Sequence, residues 1–140
     1  MSGSNATAVA DDIEAALRAV PERTTAAWAA GDAAAFSAEF DQDAKVVIAG
    51  TYLRSHQEIL KYVTFAFSGP VKGTRVVSDP VEILRLDRDT ALVMTEGGVL
   101  VPGEAEIAPE RALRGTWILS KRGEDWRITA YHSSPIKSAT

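Results

Sequence analysis

His132 is the residue best suited to proton transfer in this chain, which has two histidines and no cysteine. An imidazole titrates near neutral pH and can shuttle a proton inside a water-poor cleft. Alternate residues of a strand share a face, so we expect His132 to point the same way as Trp126 and Ile128, toward the core or a cavity. His132 is therefore the candidate catalytic acid or base. The competing interpretation is a buried neutral imidazole that only forms a wall.

Carboxylates offer a second source of acid–base chemistry. Glu96 and Thr95 are neighbours in a strand-like stretch and must face opposite sides, and the pattern leaves open which of them faces the interior. A buried Glu96 would have a raised pKa and would be the alternative acid. Asp32 and Asp43 lie where helices and strands begin, and we expect them to act as a cap or in a turn.

Several classes of chemistry find no support in the sequence. Without cysteine there is no thiolate nucleophile and no zinc–sulfur site. His56 belongs to a helix cap, and no carboxylate cluster at ligand spacing accompanies either histidine, so we predict no metal site. The glycines form neither a phosphate-binding loop nor a dinucleotide fingerprint, and no serine lies in a nucleophile-elbow pattern. We therefore predict no cofactor.

Composition restricts the partners of the chain. It has 140 residues, 46% of them hydrophobic and 24% charged, with a formal net charge of −4. A net negative charge disfavours binding to nucleic acid or to an anionic membrane. No apolar run is long enough to cross a bilayer, and the first residues lack the features of a signal peptide. We expect a cytoplasmic protein.

The first third of the chain reads as helical. Ile13, Leu17 and Val20 share one helical face. Because proline lacks an N–H and disfavours a helix interior, we expect Pro21 to begin a second, kinked segment over 21–30. Gly31 then ends the helix. We expect residues 1–8 to be a frayed terminus of a single domain spanning 1–140.

The pattern then changes to the period of strands. "KVVIAGTYLR" predicts a hairpin turning at Gly50, and Ser55 with Glu58 forms a capping box for the next helix. Four strand-like stretches follow, at about 74–86, 90–101, 111–121 and 126–133. Helices followed by an antiparallel sheet indicate an α+β fold, with the helices on one face of a curved, mostly antiparallel sheet. Pro80 indicates an edge strand or a bulge.

Four stretches, in this order, carry a resemblance to a known family: "AWAAGDAAAFSAEFDQDA", then Gly50, Arg54 and Ile59, then "ALVMTEG", and "GEDWRITAYHSS". Over about residues 11–135 the chain resembles the SgcJ/EcaC-type branch of the nuclear-transport-factor-two-like superfamily, which includes the SnoaL-like polyketide cyclases. The resemblance implies a cone-shaped α+β fold around a deep apolar cavity. It also implies a homodimer that pairs through the sheet.

The resemblance also bears on the site. Ketosteroid isomerases of the same superfamily are similar here, and the alignment puts Ile48 at their general-base aspartate and Thr24 near their oxyanion tyrosine. An isoleucine cannot abstract a proton, so that mechanism is not expected in this form. Tyr62 matches a pocket-lining aromatic residue. Tyr52 and Arg54 are expected at the mouth.

We expect the ligand to be held by aromatic side chains, which bury a large area and offer an N–H or O–H group. The predicted ligand-binding residues are Trp28, Tyr62, Trp117 and His132. The leading hypothesis is a protein that binds a hydrophobic polyketide- or polyene-like molecule in secondary metabolism, enediyne biosynthesis included. Any reaction would be a cofactor-free cyclisation or isomerisation with His132 as the proton carrier.

Two alternatives stay open. The chain could be a non-catalytic dimeric interaction module with a vestigial pocket. It could also be a hydrolase or dehydratase acting on a small polar substrate, which would require His132 to bond a carboxylate inside the cavity. Cavity volume separates the first alternative from ligand binding, because sites for drug-sized ligands measure about 300–1,000 Å³.

Overall fold

Three helices and six strands follow one another in a computed structural model that describes residues 2–136, with side chains described from residue 10 onward. The elements are α1 (Ser2–Ala30), α2 (Ala33–Ala38), β1 (Phe40–Ile48), β2 (Thr51–Leu53), α3 (His56–Ser68), β3 (Arg75–Asp87), β4 (Thr90–Leu100), β5 (Ala112–Arg122) and β6 (Asp125–Pro135). The expected fraying of residues 1–8 falls partly on Met1, which lies outside the described residues, while α1 is assigned from Ser2.

The six strands form one curved sheet in the order β2-β1-β6-β5-β4-β3. Neighbouring strands are antiparallel except β1 and β6, which pair in parallel. The helices pack on one face of this sheet, so the predicted α+β fold is confirmed. The hairpin at Gly50 and the four later strands lie where the sequence predicts them.

The predicted break at Pro21 is wrong. One helix runs from Ser2 to Ala30 with Pro21 inside it. A proline removes one helical hydrogen bond and crowds the preceding turn. Here Pro21 is buried between Val20 and Thr24, which are buried as well. Packing of this face against the sheet offsets the local penalty, so a single helix spans the cone.

The predicted caps of the two shorter helices are confirmed. The Asp32 carboxylate accepts a hydrogen bond from the Ala35 N–H at 3.0 Å at the start of α2. Ser55 accepts one from the Glu58 N–H at 3.2 Å at the start of α3. The Glu58 carboxylate reaches back to the N–H of Arg54 at 2.9 Å, one residue before the cap. Asp43 forms no cap or turn, since it lies exposed within β1.

Irregularities in two strands change which side chains face inward. β3 is an edge strand with a register shift between Pro80 and Glu82, as the proline predicts. In β6, Ala130 pairs with Ile118 whereas Ile128 pairs with Leu119, so Thr129 is an extra, unpaired residue. Such a bulge reverses the alternation of side chains beyond it.

The core lies between the helices and the concave face of the sheet. Its fully buried members come from both ends of the chain: Leu17, Val20, Val46, Ile59, Val63, Val93, Leu119 and Ile128. An aromatic cluster joins the helices, in which Phe36 of α2 contacts Trp28 of α1 and Phe67 of α3 edge to face, with ring centroids 5.8 and 5.9 Å apart. These contacts fix the helices above the sheet and leave a cavity beneath them.

Candidate ligand cavity

The cavity lies between the helices and the concave face of the sheet and has a volume of about 80 Å³. Its helix side is lined by Thr24, Thr25, Trp28 and Phe36. The sheet side is lined by Val76, Ser78, Val99, Leu113, Trp117, Tyr131 and Ser133, with Phe40 and Ile48 from β1. None of these described lining residues carries a charge. The cavity is therefore built for an apolar, uncharged occupant.

Polar groups of the helix wall are committed to the protein itself. The hydroxyls of Thr24 and Thr25 donate to backbone carbonyl oxygens one turn earlier in α1, at 2.7 and 3.1 Å. The indole N–H of Trp28 donates to Thr74 Oγ1 at 2.9 Å. These hydrogen bonds leave the carbon surface of the three residues for the cavity, so this wall contributes shape.

Trp117 forms the floor on the sheet side. Its indole N–H donates to Thr95 Oγ1 at 2.9 Å, and both side chains are buried. Gly115 makes this contact possible, because a Cβ there would lie 2.7 Å from Thr95 Oγ1 and 3.0 Å from Trp117 Nε1. Of the pair that the sequence leaves open, Thr95 faces inward. The floor is thus a neutral Thr–Trp pair.

Tyr131 packs edge to face on Trp117, with ring centroids 4.6 Å apart. Burial raises the pKa of the Tyr131 phenol above its ordinary value of 10.0, and a hydrogen bond with the Ser133 side chain opposes this rise. A phenol with a raised pKa keeps its proton at neutral pH. Tyr131 therefore presents a neutral hydroxyl donor at the cavity wall.

His132 lies on the opposite face of β6, where its side chain is exposed. It pairs with Thr116 of β5 and Val47 of β1. The predicted orientation toward the cavity is wrong, because the bulge at Thr129 reverses the alternation after Ile128. Tyr131 and Ser133 take the inward positions instead. A catalytic role for His132 stays a prediction, and it has no place in this cavity.

Glu96 also points away from the cavity. It forms an ion pair with Arg114, with Oε2 and Nη2 2.7 Å apart and both side chains partly exposed. A histidine–carboxylate pair inside the cone is therefore absent from the described residues, and the hydrolase or dehydratase hypothesis loses its geometric basis.

The predicted aromatic residues divide between wall and core. Trp28 and Trp117 line the cavity, and their contact with a ligand stays a prediction. Tyr62 packs half-buried against the core and is not among the lining residues. Tyr52 and Arg54 are exposed, and Arg54 is paired with Glu58 at 3.6 Å. The expected mouth residues therefore contribute nothing to the lining.

Two positions singled out by the resemblance do line the cavity. Ile48 and Thr24 lie in its wall, and neither side chain offers a carboxylate or a phenol. Sequence reasoning missed Tyr131 and Ser133, and no glycine or proline near Thr129 signals the bulge.

Among the described residues, no group of three or more His, Cys, Asp or Glu side chains could hold a metal ion. No helix in that part of the chain is long and apolar enough to span a bilayer.

Comparison with known proteins assigns the family. The profile of the SnoaL-like domain matches residues 17–138. The chain belongs to the SnoaL-like domain family. This family comprises small-molecule-binding and cyclase-type proteins, and its fold is the nuclear-transport-factor-two-like, cystatin-like fold that the sequence predicts. No curated protein sequence matches the chain.

Solved structures extend the likeness of fold. A Nostoc punctiforme domain of unknown function with a cystatin-like fold is 27% identical, with a TM-score of 0.82 over 90% of this chain and 78% of that one. A nuclear-transport-factor-two-like protein from Novosphingobium aromaticivorans is 16% identical, with a TM-score of 0.82 over 99% and 92%. One of unknown function from Shewanella oneidensis is 19% identical, with a TM-score of 0.71 over 89% and 98%. The last two show the fold alone.

Proposed function

We propose that this SnoaL-like protein binds a hydrophobic small molecule in its interior cavity. The observation that carries the proposal is the uncharged, mostly apolar lining, in which helix-wall polar groups are already hydrogen-bonded to the protein. Replacing water against such walls by an apolar group lowers the free energy of the system. A cytoplasmic location is part of the same proposal.

The ligand class that we propose is a polyketide or polyene of secondary metabolism, with enediyne biosynthesis and the SgcJ/EcaC-type branch as the specific setting. The volume of about 80 Å³ is smaller than sites that enclose a drug-sized ligand. A linear polyene would therefore insert one end, with the remainder in the mouth. Binding of one end can favour ring closure by restricting the chain.

Binding, rather than catalysis, is the activity that the uncharged lining supports. A cofactor-free cyclisation or isomerisation in this cavity would depend on the Tyr131 hydroxyl, because the described lining offers no carboxylate and no imidazole. His132, exposed on the outer face, could reach a ligand only outside the cone.

Binding is tested by thermal shift with linear polyenes, aromatic polyketides and small polar acids, using wild type and Val99→Phe. Val99 lines the cavity, and the larger side chain fills it. A ligand at a hundred times its Kd stabilises the wild type by about 2.7 kcal/mol. We expect that shift for the apolar ligands and its loss in Val99→Phe, with Val101→Phe in the exposed loop as the control. Equal shifts in all three proteins, or no shift with any apolar ligand, would contradict the proposal.

A dimeric interaction module is the second candidate, and the small volume of the cavity favours it. The outer face of the sheet carries half-buried apolar side chains, including Leu92, Met94 and Ile118, and we propose that a second copy of the chain covers them. A charge in the middle of such an interface would be desolvated without a partner. Ile118→Glu should then convert a dimer to a monomer in sedimentation equilibrium, whereas Leu86→Glu on the edge strand should not. A wild-type monomer at high concentration would exclude this candidate.

A further inference from the structure

The cavity contains few hydroxyl or N–H groups that are free to meet a ligand. Those of Thr24, Thr25, Trp28 and Trp117 donate to protein oxygens at 2.7–3.1 Å. Of the lining residues, Ser78, Tyr131 and Ser133 have hydroxyls with no such bond to the backbone or to another element, and only Tyr131 and Ser133 share a strand. They are two residues apart on one face of the strand.

We propose that Tyr131 and Ser133 form an acceptor-binding subsite, and that the cavity selects neutral ligands whose buried end carries a carbonyl oxygen. This inference rests on the proposed function, because it names the ligand class of the same cavity. It assigns the selectivity to two residues in the inward positions created by the bulge at Thr129.

The hydrogen-bonding capacity of the pair follows from its chemistry. Ser133 is buried, Tyr131 is half-buried, and both residues line the cavity. Burial raises the pKa of the Tyr131 phenol, so the phenol keeps its proton. A phenol has one O–H to donate, so the subsite offers one hydrogen bond to one acceptor.

The ring of Tyr131 is held in place for this role. Trp117 contacts it edge to face at 4.6 Å, and the indole is in turn fixed by its bond to Thr95. A Cβ on Gly115 would lie 3.1 Å from Tyr131 Cε1, so the neighbouring strand leaves just enough room for the ring. A donor held in advance loses little entropy when a ligand binds.

Charged ligands are disfavoured by the same surroundings. The described lining holds no charged side chain. Glu96 and Arg114, which neighbour Thr95 and Gly115 in the chain, pair with each other on the outer face. An ionised carboxylate or ammonium entering the cavity would lose its hydration without a counter-charge. A ketone or aldehyde keeps one strong acceptor and avoids that penalty.

The test compares two probes of nearly the same shape, cyclohexanone and methylenecyclohexane, which differ in the exchange of C=O for C=CH₂. Kd values are measured by NMR chemical-shift titration for wild type, Tyr131→Phe, Ser133→Ala and the exposed control Tyr52→Phe. We expect wild type and Tyr52→Phe to prefer the ketone by about tenfold, the factor that one hydrogen bond supplies. Tyr131→Phe should lose this preference and bind the two probes with equal Kd values.

The outcomes separate this inference from the function on which it rests. If all proteins bind both probes equally, the cavity binds apolar molecules but the acceptor subsite is refuted. If wild type binds neither probe, the proposed function itself fails. Ser133→Ala is a second variant that keeps the inference testable if Tyr131→Phe does not fold. It retains the phenol and should weaken the ketone preference without abolishing it.

Discussion

At the scale of single residues, adjacent positions of β6 have opposite surroundings. His132 is exposed beside Thr116 and Val47, whereas Tyr131 is mostly buried against Trp117. The chemistry available to the cavity is therefore that of a phenol with a raised pKa, which donates a hydrogen bond. An imidazole would have offered proton transfer near neutral pH instead.

We predict that His132→Phe leaves ligand affinity unchanged. The exposed side chain is outside the cavity, and surface substitutions usually change the free energy of unfolding by no more than about 0.5 kcal/mol. Thermal shift with the ligand found for the wild type measures both quantities, and Trp117→Phe serves as the comparison inside the cavity. Loss of binding in His132→Phe would show that the ligand reaches the outer face.

Tyr131 should make stability depend on pH in the alkaline range. Its folded-state pKa lies above the ordinary 10.0, so the folded protein binds the proton more tightly than the unfolded chain. The stabilisation is complete below pH 10.0 and is lost as the pH rises through the raised pKa. Urea unfolding from about pH 8 to about pH 11 should show a steeper loss for wild type than for Tyr131→Phe. Parallel curves would mean that the phenol is not buried in solution.

At the scale of elements, the bulge in β6 is held by a polar network. Thr129 Oγ1 lies 3.0 Å from Asp41 Oδ2 and 2.6 Å from Ser120 Oγ. Arg122 pairs with the same carboxylate at 3.0 Å, and the Asp41 side chain is only 14% exposed. The network thus connects β1, β5 and β6 at the residue that reverses the alternation.

We predict that Thr129→Val destabilises the fold by about 1–3 kcal/mol. Valine has the same shape but removes both hydrogen bonds, leaving the largely buried Asp41 with one partner fewer. Denaturant unfolding measures the loss, and Thr51→Val, on the exposed face of β2, is the matched control. A loss no larger than in that control would mean that backbone pairing alone holds the bulge.

At the scale of the whole molecule, the cavity exists because the helical layer and the curved sheet do not pack completely against each other. The helices are fixed to one another by aromatic contacts around Phe36, which lies within 5.9 Å of the rings of Trp28, Phe40 and Phe67. The sheet curves away beneath them, and about 80 Å³ stays open between the layers. Phe36 takes part in both the contact and the cavity wall.

Phe36→Ala should therefore lower the stability of the protein and enlarge the cavity. Truncating a buried phenylalanine costs about 3–5 kcal/mol, and here the vacated space would join the existing cavity. We expect a lower Tm together with tighter binding of bulkier apolar ligands, measured by thermal shift over a ligand size series. Phe65→Ala, whose ring is 69% exposed, is the control and should change neither quantity. Unchanged ligand selectivity in a folded Phe36→Ala would mean that the cavity does not set ligand size.

Local patterns in the sequence were enough for the elements and their order. The caps at Asp32 and Ser55 depend on side chains hydrogen-bonding within one turn. The hairpin at Gly50 and the four later strands follow from turn residues and β-branched runs. Each of these depends on contacts between residues near one another in the chain, which is why sequence alone determines them.

The tertiary structure decided two features that local sequence cannot determine, namely the continuity of α1 and the direction of the side chains in β6. Packing of the buried face that holds Val20, Pro21 and Thr24 keeps α1 continuous where local rules predict a break. Pairing across β5 and β6 inserts Thr129 as a bulge and thereby sends Tyr131 inward and His132 outward. A one-residue shift in pairing reverses the direction of every side chain beyond it. The bulge that causes this shift is held by partners such as Asp41, which lies 88 positions from Thr129 in the chain. The sequence by itself therefore determined the fold class, the family resemblance and the aromatic character of the walls, whereas only the folded sheet determined which hydroxyl the cavity presents.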